Sequence, residues 1–359
     1  MRSWVEVSLR RIRENYRAVR SLVGGTAEVM PVVKADAYRH GAVEVSRALE
    51  SEGIKWLAVS NVEEGVALRQ AGIAARILVM ADFLPEDRPA LEKFHLTPVV
   101  HSLDDLPDVR VPYHLKIDSG MGRLGTRAGP DEIVRRVAAS PAPLEGLMTH
   151  FASAANYESR QTEEQIARFE AVVSAFPARP PYVHLSSSIP IAYRRTEAWG
   201  NLVRPGHAIY GYVSPGRGPI PPPSLRVKPA LTWRATILAV KDIEAGALIG
   251  YGGIHRAAKP MRIAVLAAGY ADGIPHRLGN RGKVIAAGKL APIVGAVSMD
   301  LTTIDISACP QMRVGDAVTL LGSEGDVSID AQQIARWAGT ISYSVLCGIH
   351  ARVKRVYVD

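Results

Sequence analysis

The stretch VMPVVKADAYRHG, residues 29–41, sets a nearly unbroken apolar run against a lysine, then closes a polar segment on a glycine. Residues 29–33 lack the apolar/polar alternation of a half-exposed strand. They read instead as a strand buried on both faces, the condition found inside a parallel sheet. Working outward, short runs of the same kind recur at 56–60, 76–80, 98–101, 113–116, 144–149, 182–185 and 201–203. Helical patterns fill the intervals at 42–52, 62–71, 85–94, 130–139 and 162–176. The last of these spaces Ile166, Phe169, Val172 and Val173 at the helical period, and Gly53 and Gly72 are clear helix stops. Eight buried strands alternating with helices predict an α/β fold of the (β/α)8 TIM-barrel type. An open doubly wound sheet is the other arrangement of the same pattern.

The texture changes after SPGRGPIPPPS at 214–224, where three consecutive prolines exclude a helix interior or a central strand. Beyond it, runs at 231–243, 262–267, 284–286, 293–297, 302–306 and 317–321 are separated by glycine-containing turns. They predict a C-terminal, mainly β domain over 229–359, following a barrel domain over 1–228. One helix interrupts the β domain, with Ser328 as its expected N-cap and Ile334 and Trp337 on its apolar stripe. The opening segment at 4–7 alternates like a half-buried strand and is a candidate partner for the second domain.

Composition narrows the class. Of 359 residues, 47% are hydrophobic and 22% charged, a balance that excludes a disordered chain. The longest uncharged apolar run, 263–270, falls far short of the ~18 residues of a membrane span. The N-terminus MRSWVEVSLRR lacks an apolar signal core and reads as mature protein. Two cysteines, Cys309 and Cys347, build neither a disulfide framework nor a Cys-rich zinc site, so a cytoplasmic setting is expected and no metal. The net charge of +8 comes from Lys and Arg scattered among acids rather than from blocks, which argues against a nucleic-acid partner.

In a (β/α)8 barrel the reactive groups lie where strands end. Lys34 follows the first run, DSGMGRLG with Arg123 the fifth, His150 the sixth, Ser186 to Ser188 the seventh, and Arg204-Pro205-Gly206 the eighth. Taken singly, each has a structural explanation. Lys34 could snorkel from a strand terminus, His150 could be a hydrogen-bonded core residue, and the serines could cap a helix. GMGRLG does not have the spacing of a dinucleotide loop. Taken together, they set a Schiff-base lysine opposite a Ser-and-glycine phosphate cradle in the loops after strands seven and eight. Pyridoxal 5′-phosphate needs that arrangement.

VVKADAYRHG at 32–41 resembles the cofactor-lysine motif of bacterial alanine racemases. HLKIDSGMGRLG at 114–125, LMTHFASA at 147–154, VRPGHAIYG at 203–211, AAGYADGIPHR at 267–277 and GAVSMD at 295–300 resemble its later motifs in the same order. The resemblance runs through nearly the whole chain. It implies a barrel followed by a β domain, a head-to-tail homodimer, pyridoxal 5′-phosphate as cofactor, and racemisation of alanine to supply D-alanine for peptidoglycan. By motif position, Lys34 would carry the cofactor and act as one acid–base catalyst, and Tyr270 of the other subunit would be the second. Arg123 would hold the substrate carboxylate, together with the main chain of Met299 from the other subunit. Arg204 would face the pyridine nitrogen, with His150 linking it toward Tyr270. Tyr38, Ser188, the Gly206 and His207 amides, and Tyr343 would hold the phosphate. Lys116 occupies the place of a lysine that is often carbamylated.

Several positions depart from the family's pattern. Asp36 stands where Asn is usual, Arg39 where Gly is usual, Ser187 where Asn often precedes the phosphate serine, and Ala296 where many members carry Arg. These leave serine or another small amino acid as an alternative substrate. A barrel-type decarboxylase is a rival enzyme, but Cys347 in VLCGIH lacks the surrounding motif those enzymes use. A non-catalytic pyridoxal-phosphate carrier would lack the second domain.

Overall fold

The protein is described here from a computed structural model, covering residues 1–81 and 83–359. It divides into two units, one of Arg10–Ala37 and Ala42–Lys228, the other of Met1–Leu9, Tyr38–Gly41 and Pro229–Asp359. Beside the division expected at 228/229, the opening segment Met1–Leu9, a candidate partner of the second domain from its alternation, and the short piece Tyr38–Gly41 group with the second unit. Met1–Leu9 carries β1 (Ser3–Ser8), which lies antiparallel to β10 (Leu231–Ile243) and parallel to a C-terminal strand, Lys354–Val358. The alternation at 4–7 marks a half-buried strand, but the strands it joins lie more than two hundred residues away and are set by tertiary contacts.

In the barrel unit the strands are β2 (Glu28–Val29), β3 (Trp56–Val59), β4 (Arg76–Val79), β5 (Leu96–Val100), β6 (Tyr113–Lys116), β7 (Leu144–Met148), β8 (Tyr182–His184) and β9 (Leu202–Val203). β3 to β8 pair in parallel in chain order, and β2 pairs in parallel with β9. Backbone bonds close both seams: Val33 N donates to Ala58 O at 2.8 Å, and Arg204 N donates to Ser186 O at 3.0 Å. Closure decides against the open sheet. The strands are buried as their unbroken apolar runs require, with Leu57, Val59, Ile77, Val99, Leu115 and Leu147 fully inside. Each such side chain contributes roughly 1.5–3 kcal/mol on burial. The expected helix at 162–176 is present as Gln161–Ala175.

The second unit adds β11 (Leu248–Ile249), β12 (His255–Arg256), β13 (Met261–Leu266), β14 (Lys283–Ala286), β15 (Lys289–Pro292), β16 (Thr302–Asp305), β17 (Ala317–Glu324), β18 (Val327–Ile329) and β19 (Lys354–Val358). β10 is central and pairs antiparallel with β1, β13 and β17. Its alternation buries Leu231, Trp233, Ala235 and Ile237. Two expectations change. Residues 293–297 form no strand, because the chain turns at Gly295 after a single bridge from Ile293 to Ile304. The helix Ala331–Ala338 is capped by Asp330, whose carboxylate accepts from Gln333 N at 2.7 Å, while Ser328 lies in β18.

Candidate active site

The half-buried Lys34 opens a short helical segment, Lys34–Arg39. Its backbone is left-handed, with φ of 53° at Ala35, 54° at Asp36, 53° at Ala37 and Tyr38, and 66° at Arg39. Each non-glycine residue there costs about 1–2 kcal/mol, so the surroundings must over-determine the turn. Ala35 N donates to Glu64 Oε1 at 2.6 Å and Ala37 N to Val33 O at 2.8 Å. The departure at Asp36 has a local explanation: its carboxylate accepts from Ala42 N at 2.7 Å and closes the segment.

Arg204, fully enclosed at the end of β9, is the most constrained cation in the barrel. Nη1 donates to His184 Nδ1 at 2.7 Å and to His184 O at 2.9 Å. Nη2 donates to Thr149 O at 2.7 Å and Leu185 O at 3.0 Å, with His150 Nδ1 at 3.5 Å. All four Nη hydrogens are thus committed. Nε–H is the one donor of this guanidinium with no acceptor among the described residues. Burial draws its pKa down to about 9, still protonated at neutral pH.

Lys116, at the end of β6, is 5% exposed and has neither an ion pair nor a hydrogen-bond acceptor for its ammonium among the described residues. Burial, then Arg123 and Arg204, then Lys34 bring it down to about 8 against the pull of Asp118. His150 is lowered to about 3, first by burial, then by Arg204, Lys116, Arg123 and Lys34. The imidazole is therefore neutral, surrounded by four cations. Arg123 is exposed on a loop organised by Asp118. Asp118 Oδ1 accepts from the amides of Gly120, Met121 and Gly122 at 3.1, 2.9 and 3.0 Å, and Oδ2 from Arg127 at 2.7 Å. These bonds outweigh burial and hold the carboxyl down to about 2.

The serine cradle differs in one respect from expectation. The Gly206 amide, expected to meet an anion directly, donates to Ser188 Oγ at 3.0 Å, and Ala208 N does so at 3.1 Å. With its lone pairs so engaged, the buried Ser188 hydroxyl is left to donate. His207 stacks on Tyr212 with centroids 4.9 Å apart.

In the second unit Tyr270 and Met299 share one loop pair, 45% and 55% exposed. Tyr270 N donates to Ser298 O at 3.0 Å and Ala271 N to Met299 O at 2.9 Å. Gly269 makes this approach possible, since a Cβ there would lie 2.3 Å from Ser298 O. Arg352 clamps both loops, bidentate on the buried Asp272 at 2.7 and 2.9 Å and on Asp300 at 2.7 Å. Tyr38 and Tyr343 also belong to this unit, ring centroids 6.0 Å apart, and burial raises the Tyr38 phenol.

Of the residues picked from sequence, Lys34, Lys116, Arg123, His150 and Arg204 therefore form one electrostatic group, and Ser188 is joined to Gly206. Tyr270 is neither core nor enclosed. Sequence reading missed His184, His114 and Asp118. Imidazoles inside the buried runs 113–116 and 182–185 were the available signal. The donor set fits pyridoxal phosphate: a single N–H left over on Arg204 suits a pyridine nitrogen, a directed hydroxyl suits a phosphate, and Lys116 and Arg123, with no ion pair among the described residues, suit anions.

Comparison with known proteins agrees. The alanine racemase N-terminal domain family matches residues 7–215 and the alanine racemase C-terminal domain family residues 230–357. An alanine racemase of Carboxydothermus hydrogenoformans is 40% identical over 99% of this chain and 99% of its own. The alanine racemase of Bacillus anthracis with bound L-Ala-P superposes with a TM-score of 0.91 at 33% identity, covering 99% of this chain and 95% of that one. An alanine racemase from Bartonella henselae with covalently bound pyridoxal phosphate gives 0.89 at 26% identity, covering 100% of both chains. Matched in both halves and along its whole length, the chain belongs to the alanine racemase family and is a pyridoxal-phosphate-dependent racemase.

Proposed function

We propose that the chain interconverts L-alanine and D-alanine by passing the Cα proton between two bases, Lys34 and Tyr270, on opposite sides of the substrate. The observation that carries this reading is the convergence of Lys34, Lys116, Arg123 and Arg204 on a neutral His150 at the barrel strand ends. Positive charge of that density calls for anions, and a cofactor phosphate and a substrate carboxylate would meet the demand.

Lys34 would hold the cofactor covalently through its ε-amine. Ser188, oriented by the Gly206 amide, would hold the phosphate together with the backbone at His207, Tyr38 and Tyr343. Bound pyridoxal phosphate supplies the electron sink that acidifies Cα. Arg204, whose Nε–H is its uncommitted donor, would meet the ring nitrogen; a guanidinium only donates, so it would disfavour a proton there, restrain the sink and limit transamination. Arg123 takes the substrate carboxylate, aided by the Met299 main chain. Lys116, with an amine that is partly neutral near pH 8, adds carbon dioxide: an N–C bond forms, a proton leaves, and the carbamate answers Arg123.

The exposure of Tyr270 and Met299 supports a homodimer in which each reaches the other subunit's substrate. D-alanine made in the cytoplasm would feed peptidoglycan. Purified enzyme given L-alanine in deuterated water should accumulate D-alanine with label at Cα, whereas release of carbon dioxide would refute the reading. Lys34→Ala should lose both bound cofactor colour and activity. Tyr270→Phe should keep the colour and lose most interconversion, and a fully active variant would exclude that base.

A further inference from the structure

Behind Arg204 the barrel interior holds two fully buried histidines that the reaction itself does not use. His184 Nε2 lies 2.7 Å from His114 Nδ1, the rings meeting edge to face with centroids 4.9 Å apart. Beyond them, His114 Nε2 has no hydrogen-bond partner among the described residues and lies 3.8 Å from Glu145 Oε2, an oxygen that accepts from Arg76 Nη2 at 2.5 Å. Space for the His114 ring exists only because residue 146 is glycine: a Cβ there would stand 2.7 Å from Nδ1. Tyr182 stacks on the same ring, and Trp56 meets it edge-on.

The proton positions along this line follow from one fact, that a guanidinium only donates. His184 Nδ1 must offer Arg204 a lone pair. Burial and Arg204 keep His184 neutral, so its proton sits on Nε2. That N–H faces His114 Nδ1, which must accept. Burial likewise keeps His114 neutral, so its proton sits on Nε2 and faces Glu145. The carboxylate stays ionised because His114 and Arg76 outweigh its burial. Every dipole then presents its negative end toward Arg204. With the opposite tautomer at either ring, two N–H groups would oppose each other or a buried lone pair would lose its donor, at about 1–3 kcal/mol.

We propose that His114, with Glu145 behind it, is a positioning residue: it locks the tautomer of His184 and thereby holds Arg204 with Nε–H as its only outward donor. The inference rests on the reading of Arg204 as the partner of the cofactor's ring nitrogen, and it assigns work to residues behind Arg204, His114 in β6 and Glu145 in β7.

The test begins with nitrogen-15 histidine-labelled protein stripped of cofactor. Both buried imidazoles should carry a slowly exchanging proton on Nε2 and none on Nδ1. Either ring found as the Nδ1–H tautomer or as an imidazolium overturns the wire, whatever the enzyme does. In the holoenzyme His114→Leu should raise pyruvate formed per racemisation about tenfold, the size of one buried hydrogen bond lost. It should also make the cofactor's absorbance pH-dependent, with the KM for alanine unchanged, and His114→Gln should recover most of the effect. If His114→Leu does not fold, Glu145→Leu, at the half-buried end, must show the same direction. Ordered tautomers with unaltered partitioning and absorbance would overturn the positioning role. An Arg204→Lys enzyme with unaltered partitioning would instead refute the underlying reading of Arg204, leaving the tautomer result standing.

Discussion

Lys116 is the residue whose chemistry is set most plainly by its surroundings. Its pKa falls from 10.5 to about 8 on folding, so the folded state disfavours its proton by about 3 kcal/mol. Below pH 8 both folded and unfolded chains carry the proton, and the penalty is complete. Between pH 8 and 10.5 only the unfolded chain carries it, and the penalty fades. With carbon dioxide excluded so that the amine is free, cofactor-free Lys116→Met should therefore be more stable than the parent at pH 7, by up to that amount, with the gap closing toward pH 10 in denaturant titrations. A constant gap would mean that the amine is answered by an anion already. Lys34, His150, Ser188 and Arg204 were legible because each follows directly on an apolar run, where a barrel puts its reactive groups. His114 and His184 were not, since an imidazole within a buried run carries no local sign of what it faces.

At the level of elements, strand cores were readable and their limits were not. The run at 98–101 belongs to a strand that begins at Leu96, and the pairing of β1 with β10 and β19 depends on contacts that no window of sequence contains. The loop that carries Arg123 is instead legible in its glycines and its aspartate. Three amides and one arginine converge on Asp118. Its lowered pKa gives stability that is complete above pH 3.8 and disappears as pH falls through about 2. Asp118→Ala should cost roughly 3 kcal/mol through the orphaned amides. It should raise the KM for alanine more than it lowers kcat, because Arg123 would lose its fixed approach. Equal losses in both would place the role of Arg123 elsewhere than in holding substrate.

For the molecule as a whole, the proposed division of labour between subunits makes a quantitative prediction. Lys34→Ala and Tyr270→Phe chains, each inactive alone, should regain activity when unfolded together and refolded. Random pairing gives hybrids in half of the dimers, each with one intact site, hence about a quarter of the parental rate. No recovery would mean that Lys34 and Tyr270 serve from the same chain. The left-handed turn after Lys34 has a consequence of another kind, for anyone wishing to engineer this enzyme. Glycine normally weakens a helix relative to alanine, yet at the exposed Ala35, with φ of 53°, the preference reverses. Ala35→Gly should raise the melting temperature, by the equivalent of about 0.5–1 kcal/mol, so a residue ordinarily added for looseness would here make the protein hardier.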